Sequence, residues 1–212
     1  MSEKNLELER LVFFSDAIVA IAITLLALDL KIEKTSTGHL TFADLGGSIH
    51  KFAAFFLSFF IIAAFWKVHH EFFHYIKKIN NLVLWSNIGW LLFIVILPFS
   101  SSLVSDYFKD KASILVYSIN VLFITIFQNT TWDYVAIRPE YLKENATPDI
   151  ITDYRVACNI AMINAIIAII LCFFSPLAAF IVLFTRLPMI LLVNRASIRQ
   201  KRAKAKSKLL KP

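Results

Sequence analysis

The sequence predicts an all-α protein that crosses a membrane six times. Three observations carry that expectation: 58% of the 212 residues are hydrophobic, only 17% are charged, and the apolar residues gather in long runs. Water-soluble domains carry about 25% charged residues, so an ordinary aqueous globule is excluded. The formal charge of +7 is a local feature of one end. Eight of the 22 Lys and Arg residues (Arg195, Arg199, Lys201, Arg202, Lys204, Lys206, Lys208 and Lys211) lie in a C-terminal stretch without an acid, and the other 14 are set against 15 acids. That distribution is not the basic surface a nucleic-acid-binding domain presents, and no nucleic-acid partner is expected. Cys158 and Cys172 lie 14 residues apart in one apolar run, about 21 Å along a helix. They cannot pair with each other there, and neither a disulfide framework nor a compartment can be read from them.

A helix of about 20 apolar residues spans a hydrocarbon core of roughly 30 Å and satisfies its backbone groups internally. The first run, 11–28, is interrupted only by Asp16. The second, 52–66, is short but is extended by Lys67, whose stem can lie along the apolar surface. The third is 81–105 and the fourth 113–132. The last runs from 156 to 193, broken only by Arg186, and as one helix would reach about 57 Å. It must therefore turn, and Ser175-Pro176 is the turn signal, leaving spans of 156–174 and 177–194.

Six spans return both termini to one side, and the positive-inside rule chooses the side. Sixteen Lys and Arg residues fall on the side of the termini and five (Lys31, Lys34, Lys51, Lys109 and Lys111) on the other, with Arg186 inside the sixth span. Both termini are expected in the cytoplasm of a multi-pass cell-membrane protein, with membrane lipid as its surroundings. Residues 1–10 carry three Glu and lack the positive region and cleavage site of a secretory signal, so the first run reads as a retained span. Trp66, Trp85, Trp132 and Tyr134 fall near span ends, as an interfacial aromatic belt would place them. The chain divides into a six-helix unit, 1–194, and a basic cytoplasmic tail, 195–212, suited to an anionic leaflet or to anchoring the topology.

The first span carries the most chemistry. Asp16 lies about one and a half turns inside it, where an isolated carboxylate costs roughly 2.5–3.5 kcal/mol on insertion scales. Arg10 is six residues away, too far round the helix to face it, so a partner on another helix or subunit is expected. Ile21, Thr24, Leu25 and Leu28 recur at the spacing of one helix face, which periodicity alone leaves open between a packed or lipid-facing stripe and a pore lining. Ala17, Ala20 and Ala27 allow neighbouring helices to approach closely. Asn120, Asn159 and Asn164 are polar groups in later spans that can hydrogen-bond between helices, and Arg186 with Pro188 marks a buried cation or a kink.

His70-Glu71-Phe72-Phe73-His74 is a literal H-E-x-x-H, the string that places two zinc ligands on one helix face with a Glu beside them. A third ligand is lacking, since His39 and His50 belong to the opposite side, and a structural or pore-network role for His69 or His70 is the better reading. No metal and no cofactor is expected. There is no Thr-Val-Gly-Tyr-Gly string, which excludes a carbonyl-lined potassium filter of that type, and no P-loop or G-x-G-x-x-G. The chain is not read as an enzyme.

Arg10-x-x-x-Phe14-Ser15-Asp16 at the start of span one resembles the signature of the transmembrane protein 175 family of lysosomal and prokaryotic potassium channels. Trp66-Lys-Val-His69-His70-Glu-Phe-Phe73 at the end of span two is similar to that family's second recurring string, and six spans without a soluble domain match its prokaryotic members. The resemblance covers almost the whole chain. It implies a potassium-selective channel of unconventional type, a homotetramer with the first helices lining the pore and apolar side chains one turn apart forming the constriction. Counted from the Phe-Ser-Asp string, those are Ile21, Leu25 and Leu28, with Thr24 as the selectivity-associated hydroxyl. Arg10, Phe14, Ser15, Asp16 and His70 are implied as a structural polar network holding helices one and two in register. An apolar constriction blocks by dewetting, so only a modest preference for potassium over sodium is expected, and Asp29 at the outer end could concentrate cations. A secondary or proton-coupled ion transporter is the alternative, motivated by Asp16 and Arg186 within the membrane. A zinc hydrolase built on His70, Glu71 and His74 is a third.

Overall fold

A computed structural model describes residues 3–32 and 39–185, with side chains from Leu6 onward. Five helices are long and apolar enough to cross a membrane. Helix α1 (Glu3–Leu25) tightens into a 3-10 turn, Leu26–Asp29, and a short α2 (Phe42–Gly47) precedes α3 (Ile49–Phe73). Then come α4 (Asn81–Asp106), α5 (Lys111–Ala136), a 3-10 turn at Pro139–Tyr141, α6 (Pro148–Cys172) and a shorter apolar α7 (Pro176–Thr185). Among the described residues there is no strand, only an isolated bridge between Ile76 and Leu142.

The helix starts follow from local chemistry. Asn80 accepts the Val83 N–H to cap α4, Thr147 accepts the Ile150 N–H ahead of Pro148 at the first position of α6, and Thr41 and Asp44 form a reciprocal capping box on α2. The turn expected at Ser175-Pro176 is present: α6 stops at Cys172, and Ser175 accepts the Ala178 N–H as the next helix begins. That next helix is followed only as far as Thr185. The expected sixth span of 177–194 is thus represented by a helix of ten residues, and five spans, not six, stand as full crossings among the described residues. Arg186, Pro188 and the basic tail lie outside the described residues.

Helix α4 is the centre of the bundle, packing on α5, α3 and α1, while α6 packs on α5. One buried cluster around Leu57, Ile61, Phe65, Trp90, Ile94 and Val121 fills the middle, and a second around Leu11, Val68, Phe72, Ile76, Val83 and Trp132 fills one end. Trp132 departs from the aromatic belt expected of it. It is fully buried and donates its indole N–H to the Ile151 carbonyl, because it lies where α5 meets the start of α6. Trp66 and Trp85 remain exposed.

The two ends of the bundle are tied separately. At one end the α3–α4 and α5–α6 connections pair: Lys77 N–H donates to the Tyr141 carbonyl at 2.7 Å, Lys143 N–H to that of Tyr75 at 2.9 Å, and Lys143 Nζ to that of His74 at 2.8 Å. At the other, Lys51 approaches Asp106 at 4.0 Å and Lys111 Nζ donates to the Phe173 carbonyl at 3.1 Å. Between them, Ser58 meets Ser101 at 2.7 Å and Tyr117 at 3.0 Å, and Asn120 donates to Ser100 at 3.1 Å. Asn129 donates to Asn159 at 3.4 Å, and Asn164 to the Val182 carbonyl at 2.8 Å. These cross-helix bonds supply the partners that polar side chains need in an apolar surround.

Candidate functional site

Helix α1 has two faces. Leu8, Leu11, Ser15, Val19, Ala22 and Leu26 are buried against α3 and α4. The opposite face is bare: Ile21 is 60% exposed, Leu25 39% and Leu28 64%, with Thr24 and Phe14 exposed beside them. Two features sharpen this face beyond what spacing gave. The α-helix ends at Leu25 and continues as a 3-10 turn, a geometry in which residues three apart eclipse, so Leu25 and Leu28 stand nearly in line. Thr24 Oγ1 donates its proton to the Ile21 carbonyl at 2.8 Å. Its remaining capacity is as an acceptor, the polarity a cation needs.

On the buried face a directed chain of hydrogen bonds joins three helices. Ser15 Oγ donates to the Leu11 carbonyl at 2.8 Å, Asn87 Nδ2 donates to Ser15 Oγ at 2.9 Å, and Asn87 Oδ1 meets His69 Nε2 at 2.7 Å. With Asn87 so oriented, His69 is the Nε2–H tautomer. Its ring is buried and stacks on Trp90, centroids 4.2 Å apart and planes 13° apart. Nearer the surface a second set forms: Trp66 Nε1 donates to Asp16 Oδ1 at 2.8 Å, and the Trp66 ring stacks on His70 at 5.3 Å.

The structure thus brings Ser15 and Asp16 into contact with α4 and α3, as a partner on another helix requires, and puts His70 one contact removed from Asp16. Arg10 and Phe14 are not part of either set; they line a cleft between the starts of α1 and α4. His69, not His70, is the histidine in the buried chain. Asn87, which sequence reasoning did not single out, joins that chain; its signal was a carboxamide inside the apolar run 81–105. In the H-E-x-x-H string, Glu71 pairs with Lys67 at 3.7 Å and accepts from Tyr154 at 3.3 Å. Among the described residues no group of three or more His, Cys, Asp and Glu could hold a metal ion.

Fold and site together define a polytopic α-helical membrane protein whose first helix is locked into the bundle by polar contacts on one face and left unpartnered on the other. The family model described as endosomal/lysosomal potassium channel TMEM175 matches residues 10–98. A protein from Chryseobacterium sp. (strain P1-3), named as a potassium channel, is 28% identical over 170 residues, 80% of this chain and 85% of its own length. The crystal structure described as a lysosomal potassium-selective channel TMEM175 homolog from Chamaesiphon minutus superposes with a TM-score of 0.74 at 25% identity, covering 90% of this chain and 98% of that one. The Gallus gallus protein named endosomal/lysosomal proton channel TMEM175 is 33% identical over 137 residues, 58% of this chain but 27% of its own length. The chain thus resembles TMEM175 channels in the sequence of its first two-fifths and in its fold.

Proposed function

We propose that the protein is a potassium-selective channel that works as a homotetramer, with α1 of each copy lining the pore. The names carried by its relatives support potassium as the ion. The single observation that carries the pore assignment is the bare face of α1, Ile21, Thr24, Leu25 and Leu28, opposite a face sealed within its own bundle. Four such faces around an axis make apolar rings at Ile21, Leu25 and Leu28 with a layer of Thr24 hydroxyls among them. Apolar rings of this kind close by dewetting and conduct when they widen enough to hold water. Ions then pass largely hydrated, and discrimination rests on the Thr24 oxygens and on the water each ion sheds. Asp29, just beyond Leu28, raises the local cation concentration at that mouth.

In this reading Ser15, Asp16, Asn87 and His69 hold α1 at a fixed rotation, so the stripe meets the axis without the polar groups touching the ion. In this reading α7 belongs to a sixth span. It returns both termini to the cytoplasm of the cell membrane and leaves 195–212 as a basic tail on a 1–194 channel unit. The test is ion flux from potassium-loaded liposomes against a sodium gradient, for the wild type and for Leu25→Ala. Potassium-favouring flux that rises in Leu25→Ala supports the assignment. Flux that saturates and follows proton gradients, without single-channel steps, would identify a transporter instead.

A further inference from the structure

The pore reading leaves unused the cleft between the first turns of α1 and α4. Its volume is about 560 Å³, within the roughly 300–1,000 Å³ typical of small-molecule sites. Leu11, Phe14, Ile79 and Leu84 line it with apolar side chains, and Glu7, Arg10, Asn80 and Asn81 with polar ones. Among the described residues neither Glu7 nor Arg10 makes a hydrogen bond or an ion pair, and both are exposed. Three residues apart on one helix, their Cβ atoms are neighbours at roughly 5–6 Å. A carboxylate and a guanidinium on one helix thus line the cleft together, next to an apolar surface at the end of membrane-crossing helices.

We propose that this cleft binds a phospholipid with a primary amine, Arg10 taking the phosphate, Glu7 the ammonium and the apolar side chains the start of an acyl chain. The charges choose the headgroup. Arg10 presents a planar donor fork suited to phosphate. Glu7 accepts hydrogen bonds from a primary ammonium but not from a choline, which has no N–H, and it repels a headgroup bearing only negative charge. Asn80 is excluded as a ligand because its side chain already caps Val83 and donates to Tyr134. Leu11 belongs to the buried stripe of α1 and Phe14 to the bare one, so the lipid sits on the flank of that helix. The site rests on the membrane reading alone and does not depend on conduction.

The experiment titrates delipidated oligomer in detergent with dioleoyl phosphatidylethanolamine, phosphatidylcholine and phosphatidylglycerol, reading bound lipid by native mass spectrometry and thermal shift. Phosphatidylethanolamine is expected to bind about tenfold more tightly than either of the others, the effect of one charge-assisted hydrogen bond. Glu7→Gln, an exposed site outside both buried clusters, is expected to erase that advantage while lipid still binds. Glu7→Lys is expected to turn the preference to phosphatidylglycerol. Equal binding of the three lipids by the wild type, tighter binding of phosphatidylglycerol, or a phosphatidylethanolamine preference that survives Glu7→Gln would each overturn the proposal.

Discussion

The indole N–H of Trp66 donates to the carboxylate of Asp16 at 2.8 Å, joining α3 to α1 across 50 residues of sequence. It gives the carboxylate a donor within a span at whose centre an isolated one would cost roughly 2.5–3.5 kcal/mol. Trp66→Phe keeps a ring to stack on His70 and removes only the donor. Since both partners are partly exposed, the expected loss is about 1 kcal/mol, toward the low end for a bond to a charged group. Asp16→Asn retains an acceptor oxygen and should lose less. Thermal unfolding midpoints of the two variants in detergent are the check, and a larger drop for Asp16→Asn would show that charge, not the hydrogen bond, sets the contact.

The buried chain through Asn87 makes a sharper prediction, because one residue serves two partners. Asn87→Leu leaves the His69 Nε2–H buried without an acceptor, at a cost of about 1–3 kcal/mol. Adding His69→Phe removes the stranded donor and keeps an aromatic ring on Trp90. The double variant should therefore unfold at a higher temperature than Asn87→Leu alone. Losses that simply add would mean that the two residues contribute independently.

Much of this architecture was legible in the sequence, and the reason is the solvent. A bilayer forces each span to announce itself as an apolar run, so the first five runs and the break at Ser175-Pro176 could be placed from composition. The helix ends could not, since α1 and α3 continue past their apolar runs with polar residues that composition does not distinguish from loop. Asp16 drew attention because a carboxylate in an apolar run is expensive, whereas Asn87 passed unnoticed at lower cost. The choice of His69 over His70 depends on which side of α3 faces α4, and adjacent residues on a helix point about 100° apart. Trp132 misled for the same reason: proximity to a span end does not say whether a ring faces lipid or a neighbouring helix.

Helices α4 and α5 come together at Gly89, where an added Cβ would fall 2.7 Å from Phe127 Cδ1 and Cζ. The Phe127 ring is itself stacked on Phe93, centroids 5.8 Å apart, so it cannot swing away freely. Gly89→Ala should improve helix propensity by less than it overpacks this contact, with a net loss of about 1–2 kcal/mol. Phe127→Leu opens room for the methyl group and should restore part of the loss when combined with Gly89→Ala. Unfolding midpoints of the two single variants and the double variant decide it; no rescue in the double variant would place the strain elsewhere.

Thr24 gives the most direct test of how the bare face of α1 treats an ion. Its hydroxyl proton is held by the Ile21 carbonyl at 2.8 Å, and the side chain is exposed. Thr24→Val has nearly the same shape and removes the oxygen, so the unfolding free energy should stay within about 0.5 kcal/mol of wild type, as for surface substitutions. Thr24→Ser keeps the oxygen with one methyl group fewer. If, in the proposed tetramer, the Thr24 hydroxyls replace part of the water an ion sheds, Thr24→Val should move the reversal potential under a potassium–sodium gradient toward the unselective value, and Thr24→Ser should hold it near wild type. A Thr24→Val channel with unchanged reversal potential would leave discrimination to the dehydration imposed by Ile21, Leu25 and Leu28 alone.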